Sequence, residues 1–344
     1  MPQQECSQGA LSFRLSVPEG TRHYAELKAQ ATAAGVFTRS YAYYAVMSAF
    51  AFGGYAAAIV GVVAFDGWLP LLLACFAFSF FTVQLAGIMH DCGHRAVFNS
   101  NRNNDILGVL AGASIGMILG SWRHHHNQHH AFPNQLGKDP DFDVPVTAFD
   151  AAQAGQKSDA GRKLARFQAF YFYGVLSLAS LSNRLGGITY VRKSPDVRPW
   201  EIAIYLPVVF MLMAGPFILF PFDKALFEFV AIHLISGLYL ANCFAPNHKA
   251  MLTLPVDADL SFLEQQVITA RNIKGGLLTD VLMVGLNHQI EHHLFPRTPR
   301  NKLARLRSSV TAVCDTEGIS FEETGFLRST YDIVRSLDSV GRNA

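Results

Sequence analysis

Five of the chain's 13 histidines fall in one short run, Arg123-His124-His125-His126-Asn127-Gln128-His129-His130. On a helix His126, His129 and His130 stand at i, i+3 and i+4 and share one face. His124 lies about 200° and His125 about 100° around the axis from His126. His126, His129 and His130 therefore form the ligand-capable set, with His125 in reserve. Trp122 before the run and Ala131-Phe132-Pro133-Asn134 after it have ordinary globular composition, which argues against a tag or a low-complexity tract.

Other histidines are grouped to meet them. His90-Asp91-Cys92-Gly93-His94 places two imidazoles one helical turn apart, and Asn287-His288-Gln289-Ile290-Glu291-His292-His293 supplies a further cluster. His248 stands alone in Pro246-Asn247-His248-Lys249, and only His23 and His233 fall outside these four stretches. Imidazole is the commonest metal ligand near neutral pH. One catalytic metal needs only about three histidines and an open position, so this number points to two metals or to redundancy around one. The adjacent pairs His129-His130 and His292-His293 could give one ligand to each of two ions. His288 and Gln289 both lie about one turn before His292, and spacing alone does not choose between them. Asp91, Asp139, Asp141 and Glu291 are candidates to accept the second ring N–H of ligating histidines, against the alternative of simple solvation.

The donor set restricts the metal. No HExxH or cysteine-rich zinc signature is present, nor the Glu-x-x-His pairs of soluble di-iron bundles. A haem would leave most of the histidines unexplained. An all-nitrogen site for two metals beside a membrane fits iron used for oxygen chemistry, acting on a lipid-like substrate.

The membrane follows from the rest of the chain. Half of the 344 residues are hydrophobic and the mean hydropathy is +0.21. Uncharged runs of about 41–65 and 68–89 are each long enough to cross about 30 Å of hydrocarbon, and Asp66-Gly67 joins them as a tight hairpin. Runs of about 202–220 and 226–245 form a second hairpin, the last of them carrying Glu228 and His233. Of 28 Lys and Arg residues, only Lys224 lies within 41–89 or 201–247. The two hairpins put the remaining 27 and all four histidine stretches on one side, cytosolic by the positive-inside rule. The stretch from Ile106 to Gly120 is apolar but short, with Gly108, Gly112 and Gly116 at every fourth position. Such a stripe admits a close helix neighbour or, more sharply, leaves room for an acyl chain. Phe167 to Leu181 is a short aromatic stretch suited to the membrane interface. The fold class expected is all-α and integral to the membrane, with four transmembrane helices and a helical cap. Cys6, Cys75, Cys92, Cys243 and Cys314 lack CxxC spacing and read as reduced packing thiols. A net charge of +2 gives no nucleic-acid signal.

His90-Asp-Cys-Gly-His94, His126-Asn-Gln-His129-His130 and Gln289-Ile-Glu-His292-His293 resemble the three histidine boxes of the membrane fatty acid desaturases. Asp139-Pro-Asp141 and Leu294-Phe-Pro296 strengthen the likeness to the acyl-CoA and acyl-lipid branch, which includes front-end desaturases and bacterial relatives. The resemblance covers about residues 40 to 330. It implies a cytosolic cap around two non-haem irons, which use O2 and two electrons to remove hydrogen from adjacent methylenes of an acyl chain. On that likeness His90, His94, His126, His129, His130, His292 and His293 match box ligands, and His248 matches an additional ligand after the last span. Asn242 and Asn247 are candidates to hold a metal-bound water. Gln289 departs from the branches with histidine there, and His288 stands where this branch often has an aromatic residue.

The sequence divides on this reading into an N-terminal arm (1–40), a desaturase domain (41–330) and a tail (331–344), in a bacterial cytoplasmic membrane. It has no His-Pro-Gly-Gly haem motif of a fused cytochrome b5, so electrons are expected from a separate ferredoxin or similar protein docking near Arg271, Lys274, Arg297 and Arg300. The alternative for those residues is contact with lipid headgroups. A hydroxylase with the same boxes is the alternative activity, and a metal-binding or transport membrane protein the remote one.

Overall fold

With only Asp66-Gly67 between them, the first two apolar runs can only fold back on each other. In the computed structural model they form α2 (Tyr41–Ala64) and α3 (Trp68–Gly93), a packed hairpin. The structure describes residues 14–142, 144–194 and 197–343. Before the hairpin lies α1 (Val17–Ala33), started by a capping box between Ser16 and Glu19 with Pro18 in the first turn.

The outer half of α3 still exposes Leu69, Leu73 and Phe76, but every residue from Thr82 to Gly93 is buried. A helix covered all round is the centre of a bundle. Its neighbours are α4 (Asn101–Ser114), α5 (Leu119–Ala131) and the last long helix. The chain bends by 103° between α4 and α5. Gly116 at the bend has φ +76°, a conformation open to glycine because it lacks a Cβ. The bend turns the apolar stretch of the glycine stripe directly into the histidine run.

Two 3₁₀ turns (Pro140–Phe142 and Arg300–Leu306) and short helices α6 (Ala151–Gly155) and α7 (Asp159–Ala165) lie outside the long helices. The aromatic stretch becomes α8 (Gln168–Leu176), followed by α9 (Ala179–Lys193). The expected third span, 202–220, is not one helix. It is α10 (Pro199–Met213) followed by α11 (Gly215–Leu219), broken at Ala214. Pro216 has no N–H to bond the Leu212 carbonyl and its ring crowds that carbonyl, which ends α10 early. Next, α12 (Phe222–His248) is continuous over 27 residues, about 40 Å at 1.5 Å per residue. Among the described residues three helices (α2, α3 and α12) are long and apolar enough to cross a membrane.

Helices α3 and α12 run in the same direction, held in register by Ser236 Oγ donating to Ser79 Oγ at 3.0 Å. Both end in histidines at the same end of the bundle. Below that end a second core joins Leu27 of α1 to α13 (Phe262–Ile268), α15 (Gln289–Leu294) and α16 (Arg307–Glu317). Leu263, Ile290, Leu294 and Val310 fill it. Strand β1 (Asn272–Ile273) and α14 (Leu277–Leu282) come between α13 and α15, and strand β2 (Glu323–Thr324), which follows α16, pairs parallel with β1. The final helix α17 (Phe326–Arg342) runs unbroken through residue 330 and packs Ile333 and Leu337 against Phe172 of α8.

Candidate metal centre

The histidines of four separate stretches converge where α3 and α12 end. His90, His94, His126 and His292 bring ring nitrogens within 4.8 Å of one another, and His129, His248 and His293 do the same in a second group. His130 lies between the two. Its Nε2 is 3.0 Å from Nε2 of His126 and 3.2 Å from Nε2 of His292, while its ring stacks on His293 with centroids 4.1 Å apart. The adjacent His292 and His293 thus fall in different groups, and His130 borders both while its neighbour His129 belongs to the second.

The elements fix these rings from outside. Helix α5 begins with an unpaired N–H at Leu119, which donates to the buried Glu201 carboxylate at 2.7 Å. Arg123 of α5 and Arg95 just after α3 both bind Asp105 of α4, so the two histidine helices share one anchor. The outer nitrogens of four rings are engaged. His90 Nδ1 faces Asp91 at 3.0 Å, His129 Nδ1 faces Asp139 at 3.0 Å, His248 Nδ1 faces the Thr269 carbonyl at 3.2 Å, and His293 Nδ1 faces Gln266 Oε1 at 2.8 Å. A ring nitrogen facing a carbonyl or carboxylate carries the hydrogen, so the opposite Nε2 keeps a lone pair aimed inward.

Those inward nitrogens fit a metal. Nε2 of His90, His94 and His293 is buried with no hydrogen-bond partner, and Nε2 of His129 and His248 face each other at 3.4 Å. Burial first, and then the neighbouring imidazoles, hold His292 and His293 well below the ordinary histidine range, so both are neutral donors. Two ions held here would neutralise the lone-pair repulsion that this packing otherwise carries.

Several expectations change. His288 is turned outward, with Nε2 3.2 Å from Asp280 Oδ1 and Nδ1 2.9 Å from Arg307 Nη2. Gln289 is turned inward, its side-chain nitrogen 2.9 Å from His248 Nε2. His125 binds Asp141 at 2.7 Å on the exposed side of α5 and does not join either group. Glu291 accepts from Asn272 at 2.7 Å and reaches no ligating ring. Asn242 donates to Leu238 O in its own helix, whereas the buried Asn247 donates to Gln289 Oε1 at 3.2 Å. Asp141 supports His129 less directly than Asp139, at 3.4 Å.

The glycine stripe is filled by protein. A Cβ at Gly108 would stand 2.9 Å from Cys92 Cβ, one at Gly112 would stand 2.6 Å from Met89 Sδ, and one at Gly116 would stand 3.1 Å from Arg184 Cγ. Close helix packing accounts for Gly108 and Gly112, and the positive φ of the bend with the Arg184 side chain accounts for Gly116. Two of the four basic residues expected on a docking face are inside the protein. Arg271 donates to the Pro246 and Lys249 carbonyls, and Arg300 Nε lies 2.5 Å from Asp91 Oδ2.

Sequence reasoning did not find the partners that arrive from afar. Tyr44 of α2 donates to Asp91 at 2.7 Å, Gln266 holds His293, and Asn134 bridges the His248, Leu252 and Thr269 carbonyls. The one local signal is Tyr44's phenol in an uncharged span, where a buried O–H needs a partner.

The sequence profile described as "Fatty acid desaturase" matches residues 66–325. The chain belongs to the fatty acid desaturase family. It is 28% identical over 339 residues to an acyl-lipid (9-3)-desaturase of Physcomitrium patens, covering 95% of this chain and 64% of that protein. It is 30% identical over 287 residues to fatty acid desaturase 3 of Homo sapiens, covering 80% and 62%. It is 28% identical over 255 residues to a delta(8)-fatty-acid desaturase of Euglena gracilis, covering 69% and 60%. The chain thus spans 60–64% of the length of these three relatives, all of them eukaryotic.

Proposed function

We propose that this chain is a membrane acyl desaturase that uses O2 to convert –CH2–CH2– within an acyl chain to –CH=CH–, with two electrons and two protons accompanying reduction of O2 to two waters. The observation that carries this reading is the meeting of two imidazole groups at the ends of two apolar spans. His90, His94, His126 and His292 would hold one iron, His129, His248 and His293 the other, with His130 between them and Gln289 beside His248. Iron bound there supplies the activation of O2. Asp91 and Asp139 fix ring tautomers, and Arg300 and Tyr44 hold Asp91 in place.

The site belongs on the cytosolic side by the placement of Lys and Arg. Its position at the span ends suits an acyl chain entering from the bilayer, linked to CoA, a carrier protein or a lipid. Electrons would come from an external donor such as a ferredoxin. Exposed Lys274 and Arg297 remain from the expected docking patch, since Arg271 and Arg300 are buried. The assignment to a bacterial cytoplasmic membrane rests on the sequence reading alone.

The test is expression with a donor in a host lacking its own desaturase, followed by gas chromatography–mass spectrometry of acyl chains and iron analysis of the protein. A double bond made by wild type and not by His130→Ala supports the proposal and locates the bond. A hydroxylated chain would assign the same centre to hydroxylation. Absence of bound iron would overturn the metal assignment.

A further inference from the structure

A space with no role in the metal centre lies at the other end of the bundle. A cavity of about 530 Å³ opens between α2, α10, α11 and α12, where the broken third span leaves the helices apart. Its walls are apolar, from Phe52, Ile59, Met211 and Phe220 among others, apart from a few polar groups. It is remote from the metal centre: Glu228 and His233 of its lining precede His248 by 20 and 15 residues, about 30 and 22 Å along α12.

Most of the polar lining is already satisfied. Tyr55 donates to the Ser114 carbonyl at 2.8 Å, and Ser114 Oγ donates to Leu110 O at 2.7 Å. Two groups are not. Glu228 Oε2 and His233 Nε2 are buried with no partner, on side chains of residues only 6% and 3% exposed. His233 Nδ1 lies 2.8 Å from the Phe229 carbonyl and must carry the ring hydrogen, which makes Nε2 a bare acceptor. A polar atom buried in this way costs free energy until a ligand or water meets it. An apolar pocket of this size whose lining includes an unmet buried acceptor has the form of a small-molecule site.

We infer that this cavity binds a lipid alcohol. The hydroxyl donates to His233 Nε2, and the hydrocarbon body fills the apolar walls. A bare hydrocarbon or an ether cannot donate, and leaves His233 Nε2 unmet. The site is independent of the metal centre and of the activity proposed for it.

The test uses the full chain, delipidated in detergent, with radiolabelled hexadecan-1-ol as probe and its methyl ether and the matching alkane as competitors. Saturable binding near one per chain is expected, with the ether about tenfold or more weaker as a competitor, the scale of leaving one buried acceptor unmet. His233→Leu should weaken the alcohol by a similar factor and bring alcohol and ether level. Val208→Trp, which fills the cavity, should abolish binding while metal content at the distant centre stays at the wild-type value, which reports that the variant is folded. Non-saturable uptake, or equal binding of alcohol and ether to wild type, overturns the inference. The wild-type comparison decides even if a variant fails to fold.

Discussion

Nε2 of His129 and Nε2 of His248 lie 3.4 Å apart, although 119 residues separate them in the chain. Neither ring can turn away, because Asp139 holds one outer nitrogen and the Thr269 carbonyl holds the other. Removing one of the pair should therefore empty one half of the centre and spare the other. His248→Ala is expected to lower bound iron from about two to about one per chain in metal analysis. His288→Ala should leave iron content unchanged, since both ring nitrogens of His288 face away from the centre. Loss of iron in the His288 variant would return that residue to the ligand set.

Asp91 is 5% exposed and balanced by Arg300, itself 7% exposed. Arg300→Met would leave a buried carboxylate without its cation, a change that costs about 3–5 kcal/mol in comparable buried pairs. A large fall in thermal midpoint is expected in detergent. Arg297→Ala, at an exposed position, should change stability by about 0.5 kcal/mol or less. Equal stability of the two variants would show that the Arg300–Asp91 pair is not needed.

Asp139 accepts from His129 Nδ1 and from the backbone N–H groups of Asn134 and Asp141. Asp139→Asn keeps the shape but loses the charge that orients the His129 tautomer. Metal affinity should fall by about 10–100-fold, as for other outer partners of ligating histidines, measured by competition with a chelator. Unchanged affinity would reduce Asp139 to a loop-forming role.

Proton linkage gives a separate test on metal-free protein. Burial holds His292 and His293 below the unfolded histidine value of about 6.5. Between those values the unfolded chain binds more protons than the folded one, so stability rises with pH in that window. The metal-free protein should keep full stability above about pH 7 and lose it as pH falls below about 6.5. Loading with iron should move the loss to lower pH, because metal and protons compete for the same nitrogens. Thermal midpoints from pH 5 to 8, with and without metal, read this directly. A flat curve for the metal-free protein would contradict the buried neutral histidines.

Gly112 offers a choice between packing and substrate space. Its neighbour Met89 precedes His90, and a new Cβ would already meet Met89 Sδ at 2.6 Å. Gly112→Leu should cost about 1–3 kcal/mol by overpacking and reduce metal content, with no selective loss of longer acyl products. Shorter products at unchanged stability and iron content would instead give Gly112 a wall of the acyl site.

The long α2, α3 and α12 helices were legible because each is a long apolar run, uncharged in the span of α2 and α3 and interrupted in α12 by few charges. The ligand clusters were legible because their members lie close in sequence. Spacing could not separate His288 from Gln289, since their distance in the chain is one residue and their difference is a turn before α15. Nor could it reveal Gln266 or Tyr44, which reach the centre only through packing of distant segments. The break in the third apolar run is written locally in Gly215-Pro216, and hydropathy over a long window conceals it. Arg271 and Arg300 look like surface charge in the sequence, and only the fold shows the carbonyls and carboxylate that enclose them.

The alignment of α3 with α12 has a mechanical consequence. The two rods carry opposite halves of the centre on their tips, His90 and His94 on one and His248 on the other. A slip of one residue between them would displace those tips by about 1.5 Å, enough to spoil coordination whose bond lengths tolerate only about 0.2 Å. Bilayer thickness acts on each rod through the mismatch between its apolar length and the surrounding hydrocarbon. Lipid around the two rods would thus be geared to the spacing of the two imidazole groups, with the Ser79–Ser236 contact serving as the pawl.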